Sequence, residues 1–212
     1  TGTSFEIGGK HRLADNLQLN WAIATAEYKD QQISTFQGTG FVVGNASSFE
    51  VDTLEIDLVW QATDKLRVAL AAAYLDGTYA DFDTAACTET QMAYFRAIDP
   101  TGAYSAANIS INDYGPNVTD PTGFCRIIWN GAGFYSTGNQ NLTGRDLGTG
   151  NYNGSLNLDY TQPLSNGMTL YAGLDYNFFD DYITTGDLDP LDTQEATARI
   201  NARIGITKGN FT

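Results

Sequence analysis

The stretch Ser47–Phe82, SSFEVDTLEIDLVWQATDKLRVALAAAYLDGTYADF, alternates apolar and polar residues, pauses at QATDK, and alternates again. Leu54, Ile56, Leu58 and Trp60 fall on one side of the pattern, Glu55 and Asp57 on the other. Successive side chains of a strand point to opposite faces, so the stretch reads as a β-hairpin with one apolar and one polar face. Two architectures share that pattern. In a soluble sandwich the apolar face is the core, and in a membrane barrel it meets lipid.

The rest of the chain separates them. Period-two alternation predicts about seven strands, near Phe5–Leu13, Leu17–Lys29, Val51–Gln61, Leu66–Tyr79, Tyr152–Gln162, Met168–Phe179 and Ala196–Thr207. Most approach the ten or so residues that a tilted strand needs to cross the hydrocarbon of a bilayer, whereas sandwich strands are usually shorter. The connections ADN, ATDK and PLSNG are tight and rich in turn residues; those over Asp30–Glu50, Ala80–Asn151 and Asp180–Glu195 are long. Short turns at one end and long loops at the other are the pattern of outer-membrane barrels, with the turns periplasmic and the loops extracellular.

The faces agree. Leu17, Leu19, Trp21 and Ile23 share one side of the second strand, Leu66, Val68, Leu70, Ala72 and Tyr74 one side of the fourth. Opposite faces carry Arg67, Asn157, Asp159, Thr169, Asp175, Arg199 and Arg203. Burying such groups without partners is costly, so that face has to be wet or networked. The expected fold is all-β: an antiparallel up-and-down transmembrane β-barrel segment of about seven strands, with 1–212 forming part of one barrel domain and a long extracellular loop over about 80–151.

Composition removes other classes. The formal charge of −14 and a pI near 4.1 exclude nucleic acid as a partner, since that binding depends on Lys and Arg neutralising phosphates. No apolar run is long enough for a transmembrane helix, which leaves a barrel open. The N-terminus TGTSFEIGGKHRLAD lacks the apolar core of a signal peptide, as expected for a mature or truncated chain or one not exported by its own signal. Twenty-two glycines and twelve tyrosines suit a barrel with interfacial girdles.

The segments FEIGGKHRLADNLQLNWAIATAEYKD (Phe5–Asp30), VDTLEIDLVWQATDKLRVALAAAYLDGTY (Val51–Tyr79), NGSLNLDYTQPLSNGMTLYAGLDY (Asn153–Tyr176) and ARINARIGI (Ala198–Ile206) follow one another in an order that resembles a known family. The chain looks like the C-terminal portion of the barrel of a TonB-dependent outer-membrane receptor. That resemblance implies a receptor and transporter, not an enzyme. It would sit in the bacterial outer membrane and take up a scarce nutrient of the siderophore, cobalamin or oligosaccharide class. The implied partners are outer-membrane lipid, the small-molecule or oligosaccharide ligand, and the TonB complex. The plug that contacts TonB has no counterpart in these residues, and the chain stops at TKGNFT before the final strands expected of the family. No cofactor is implied. The alternative reading is a secreted or surface β-sandwich that binds glycans through aromatic loops.

Candidate site residues lie in the long connections. Tyr94, Phe95, Arg126, Trp129 and Tyr135 offer aromatic and guanidinium contacts for a ligand; equally, those aromatics could pack the loop on itself. Cys87 and Cys125 share that loop, and in an exported chain they suggest one disulfide, with two unrelated thiols as the other reading. Asp187, Asp189 and Asp192 are a weak set of oxygen ligands for calcium, without the spacing of an EF-hand, against the plainer reading of a solvated acidic loop. The lone histidine, His11, has no Ser or Cys placed to act with it. No nucleophile elbow, P-loop or HExxH spacing occurs.

Overall fold

The computed structural model describes residues 1–37, 40–91, 93, 125–126 and 139–208, with backbone alone for 33–37, 40–46, 125–126 and 139. Its strands are β1 (Gly2–Ala14), β2 (Leu17–Gln37), β3 (Gly40–Gln61), β4 (Leu66–Asp81), β5 (Ala85–Ala86), β6 (Cys125–Arg126), β7 (Asn139–Gln140), β8 (Tyr152–Pro163), β9 (Met168–Phe179), β10 (Tyr182–Ile183), β11 (Thr193–Gln194) and β12 (Thr197–Lys208). The seven long ones form a single antiparallel sheet in sequential order, β1-β2-β3-β4-β8-β9-β12, with β1 and β12 as its open edges. The short ones build a β10-β11 pair and a β5-β7-β6 sheet at the loop end.

The register lines apolar side chains up across the whole sheet. One row runs His11, Leu19, Leu58, Leu70, Leu156, Tyr176 and Ile200, and the next holds Leu17, Trp60, Val68, Leu158, Leu174 and Ala202. On strands internal to the sheet these residues still meet open space: Ile23 is 50 % exposed and Leu70 38 %. A sandwich requires a second sheet over this face, and among the described residues none lies there. Among the described residues the buried apolar cluster is small, consisting of Phe82, Ala85, Leu142 and Leu188, and it sits among the loops.

The opposite face is networked. The Arg203 guanidinium bridges the carboxylates of Asp159 and Asp175, and Arg67 approaches Asp159 at 3.7 Å. Arg203 lies across Gly173, its cross-strand partner, and Tyr171 lies across Gly205 in the same way. Each glycine leaves the space that the long neighbour fills, which fixes the β9–β12 register from both strands.

Turn chemistry closes the other end. In the β3–β4 turn the Thr63 hydroxyl accepts from the backbone N–H groups of Lys65 and Leu66 at 3.2 and 3.1 Å. The β8–β9 turn closes with Leu164 N–H donating to Met168 O at 2.8 Å, and Gly167 takes φ 71° there. A Cβ at Gly167 would meet nothing within 4 Å, so the cost of a side chain is backbone strain alone. Gly167→Val is expected to lower stability by about 1–2 kcal/mol, read as a shifted denaturation midpoint in detergent.

One expected loop is corrected. Residues 30–50 are not a long connection, because β2 and β3 stay paired up to Gln37↔Gly40. The pairing skips at Tyr28/Gln31 and again at Gln31/Gln32, and Asp30 has φ 56°. A bulge adds a residue to one strand and shifts the phase of the alternation, so a period-two reading breaks there although the hairpin continues. The 21 residues of β2 rise about 70 Å in all. A bilayer crossing takes about 9–11 residues, so half of this hairpin stands clear of the apolar belt.

Candidate functional site

At the loop end the two faces exchange character. Below Thr53, β3 puts Leu54, Ile56 and Leu58 on one face and Glu55 and Asp57 on the other; above it, Asp52 and Glu50 join the first face and Val51 and Phe49 the second. β4 does the same, with Tyr74 giving way to Asp76 and Thr78, and Ala73 to Leu75 and Tyr79. The registers Asp52↔Asp76, Glu50↔Thr78 and Phe49↔Tyr79 keep the exchange level across strands. A wall that is apolar outside within a membrane and apolar inside above it has this pattern, because above the membrane water bathes the outer surface.

The inner apolar patch is where the loops seat. β4 outruns β8, and residues 142–147 take over the pairing: Leu147 N–H donates to Gly77 O at 2.9 Å, Tyr79 N–H to Arg145 O at 2.9 Å, and Leu142 N–H to Phe82 O at 2.7 Å. Gly77 is needed here, since a Cβ would come within 2.5 Å of Leu147 Cδ1. Tyr79 packs on Phe82 with ring centroids 5.1 Å apart, and Tyr28 on Phe49 at 4.9 Å.

The β4–β8 and β9–β12 connections fold together. Ile183 N–H donates to Gly148 O at 2.7 Å, and Gly148 has φ 69° with Leu188 and Ile183 against it. Buried Gln140 donates through Nε2 to Ala86 O at 2.7 Å and Asp187 O at 2.6 Å, and its Oε1 accepts from Gln91 Nε2 at 3.0 Å. Buried Asp189 accepts from Thr90 N–H at 3.2 Å, Thr90 Oγ1 at 3.0 Å and Leu191 N–H at 3.0 Å. Both buried polar side chains are thereby satisfied, and each joins loops far apart in sequence.

Between wall and loops lies a pocket of about 560 Å³. Phe49, Val51, Leu75 and Tyr79 form the wall side, and Leu147, Thr149 and Gly186 the loop side. Gln31, Gln32 and Ser47 complete it. Tyr79 stands above the apolar belt. Burial, and after it the carboxylate of Asp146, push its phenol above the usual range, so the hydroxyl stays a donor.

The sequence-derived candidates map onto this unevenly. Tyr94, Phe95, Trp129 and Tyr135 lie outside the described residues, and of Arg126 the backbone is placed, opposite Asn139 in β6–β7. The three acidic candidates are not gathered into a calcium site. Asp189 caps the turn Pro190–Asp192, Asp192 accepts from Thr185 Oγ1 at 3.1 Å, and Asp187 supplies its carbonyl to Gln140. Among the described residues no group of three or more His, Cys, Asp or Glu is disposed to hold a metal. Cys87 is buried and carries no free thiol. His11 accepts a hydrogen bond from Trp21 Nε1 at 3.0 Å on the apolar face.

Among solved structures, the ferric yersiniabactin uptake receptor of Yersinia pestis is similar over 96 % of this chain, with a TM-score of 0.57 and 11 % sequence identity. The shared feature is the fold. The chain spans 22 % of that receptor's length. No family model matches the sequence, and no curated protein matches it. No helix among the described residues is long and apolar enough to cross a membrane.

Proposed function

We propose that these residues are part of the wall of an outer-membrane β-barrel receptor that takes up a scarce nutrient of the siderophore, cobalamin or oligosaccharide class. It is a binder and transporter and performs no reaction on its ligand. Energy comes from TonB through a plug contributed by other residues. The observation that carries this reading is the uncovered apolar face on strands internal to the sheet, ending level where the faces exchange. The similarity to a ferric yersiniabactin receptor agrees with it.

The open edges belong to the same proposal. With seven strands in alternating direction, β1 and β12 run the same way. Joining them directly would make a parallel seam, so an all-antiparallel barrel needs an odd number of further strands between them. Unpaired edges in hydrocarbon leave backbone groups that no water can satisfy. The test is uptake by cells carrying the whole protein. Accumulation of a labelled nutrient that stops when TonB is removed supports the proposal, and accumulation indifferent to TonB contradicts it.

Cys125 is the proposed partner of Cys87. The pairings Ala86↔Asn139 and Arg126↔Asn139 bring the strands next to both cysteines to either side of β7. Closing a loop of roughly forty residues contributes about 3–4 kcal/mol on the chain-entropy model. Titration of the unreduced, denatured protein is expected to find neither thiol free, and two free thiols would count against the bond.

A further inference from the structure

We infer that the pocket between the upper wall and the loops takes an uncharged, polyhydroxylated ligand of the oligosaccharide class. The inference rests on the receptor reading and narrows its ligand.

The lining decides the class. Among the described residues it carries no charged side chain. Its polar groups are the amides of Gln31 and Gln32 and the hydroxyls of Ser47, Thr149 and Tyr79, each of which carries both a donor and an acceptor oxygen. Sugar hydroxyls likewise donate and accept, so such a set can satisfy them from several directions. Tyr79, Phe49 and Leu75 add flat apolar surface, which suits the C–H face of a pyranose ring. The volume of about 560 Å³ lies within the ordinary range for small-ligand sites.

The surroundings disfavour charged ligands. An anionic ferric chelate asks for Arg or Lys donors in place. Arg145, whose backbone pairs with Tyr79, and Lys29, paired with Glu27, are near but are not among the lining residues, and the nearby outer surface carries Glu50, Asp52, Asp76 and Asp146, within a chain of net charge −14. That field repels anions approaching the mouth. A cation would be drawn toward the mouth, yet among the described residues no carboxylate lines the pocket to replace its water. A neutral ligand avoids both costs.

The test uses the whole protein purified in detergent, with an array of neutral oligosaccharides, their uronate counterparts and a ferric tricarboxylate chelate as probes. At least one neutral glycan is expected to bind. Its uronate counterpart should bind at least about tenfold more weakly, and Tyr79→Ala should weaken the neutral glycan by about tenfold while Tyr79→Phe retains most of the affinity. Heat-modifiable migration on gels checks that each variant is folded. The inference is overturned if no neutral glycan binds, if the uronate or chelate binds more tightly, or if folded Tyr79→Ala binds unchanged. TonB-dependent uptake of the ferric chelate without glycan binding would remove the ligand class and leave the receptor standing. Loss of all TonB-dependent uptake together with glycan binding to a water-soluble protein would remove the receptor.

Discussion

Arginine placed at Leu58, Leu70 or Leu174 is expected to weaken assembly in lipid by about 2–4 kcal/mol per site near mid-bilayer. Asn157→Arg and Thr169→Arg should cost much less. All three leucines belong to the apolar rows that cross the sheet, while Asn157 and Thr169 project from the other face, beside Asp175 and Thr207 in register. Desolvating a guanidinium in hydrocarbon is the dominant penalty, and on the polar face it is absent. Urea-dependent assembly into vesicles measures the difference. Equal costs on the two faces would mean that neither of them meets lipid.

The second large effect is expected in the loops. Leu142 is fully buried against Phe82, Ala85 and Leu188, so Leu142→Ala should destabilise the loop unit by about 2–5 kcal/mol. Asp189→Ala strands the N–H groups of Thr90 and Leu191 and should cost about 1–3 kcal/mol. Because Gln140 and Asp189 tie the two connections together, either change should raise hydrogen exchange around both Ala85–Ala86 and Tyr182–Ile183. Exchange that rises in one connection alone would mean that the loops are independent.

The wall was legible in the sequence because a face that meets one solvent throughout keeps a strict period of two. Leu54 to Trp60 and Leu66 to Tyr74 hold that period without interruption, and β9 runs over the expected Met168–Phe179. Where a bulge intervenes, local pattern reading fails. The upper β2–β3 hairpin was hidden by Asp30 and the skipped pairing at Gln31, although its residues continue the ladder.

The candidate site was harder to read for a different reason. Phe49, Val51, Leu75 and Tyr79 lie in register with the polar face below them, so a search for one continuous apolar face passes over them. Their signal was the exchange of faces between Thr53 and Asp52 and between Tyr74 and Asp76, which requires knowing where the membrane ends. Gln140 and Asp189 gave no local signal at all. Their partners are 54 and 99 residues away, and a polar residue in a loop looks solvated until its partners are known.

The most direct test of the account is the environment of β4 in lipid. Spin labels placed one at a time at positions 68 to 73 in the whole protein, reconstituted into vesicles, report collision with oxygen and with a water-soluble nickel chelate. Val68, Leu70 and Ala72 are expected to favour oxygen, and Ala69, Ala71 and Ala73 the chelate, in strict alternation. Labels at 68, 70 and 72 that are immobilised and shielded from both reagents would show that the apolar face is a protein core, and the membrane-wall account would be wrong.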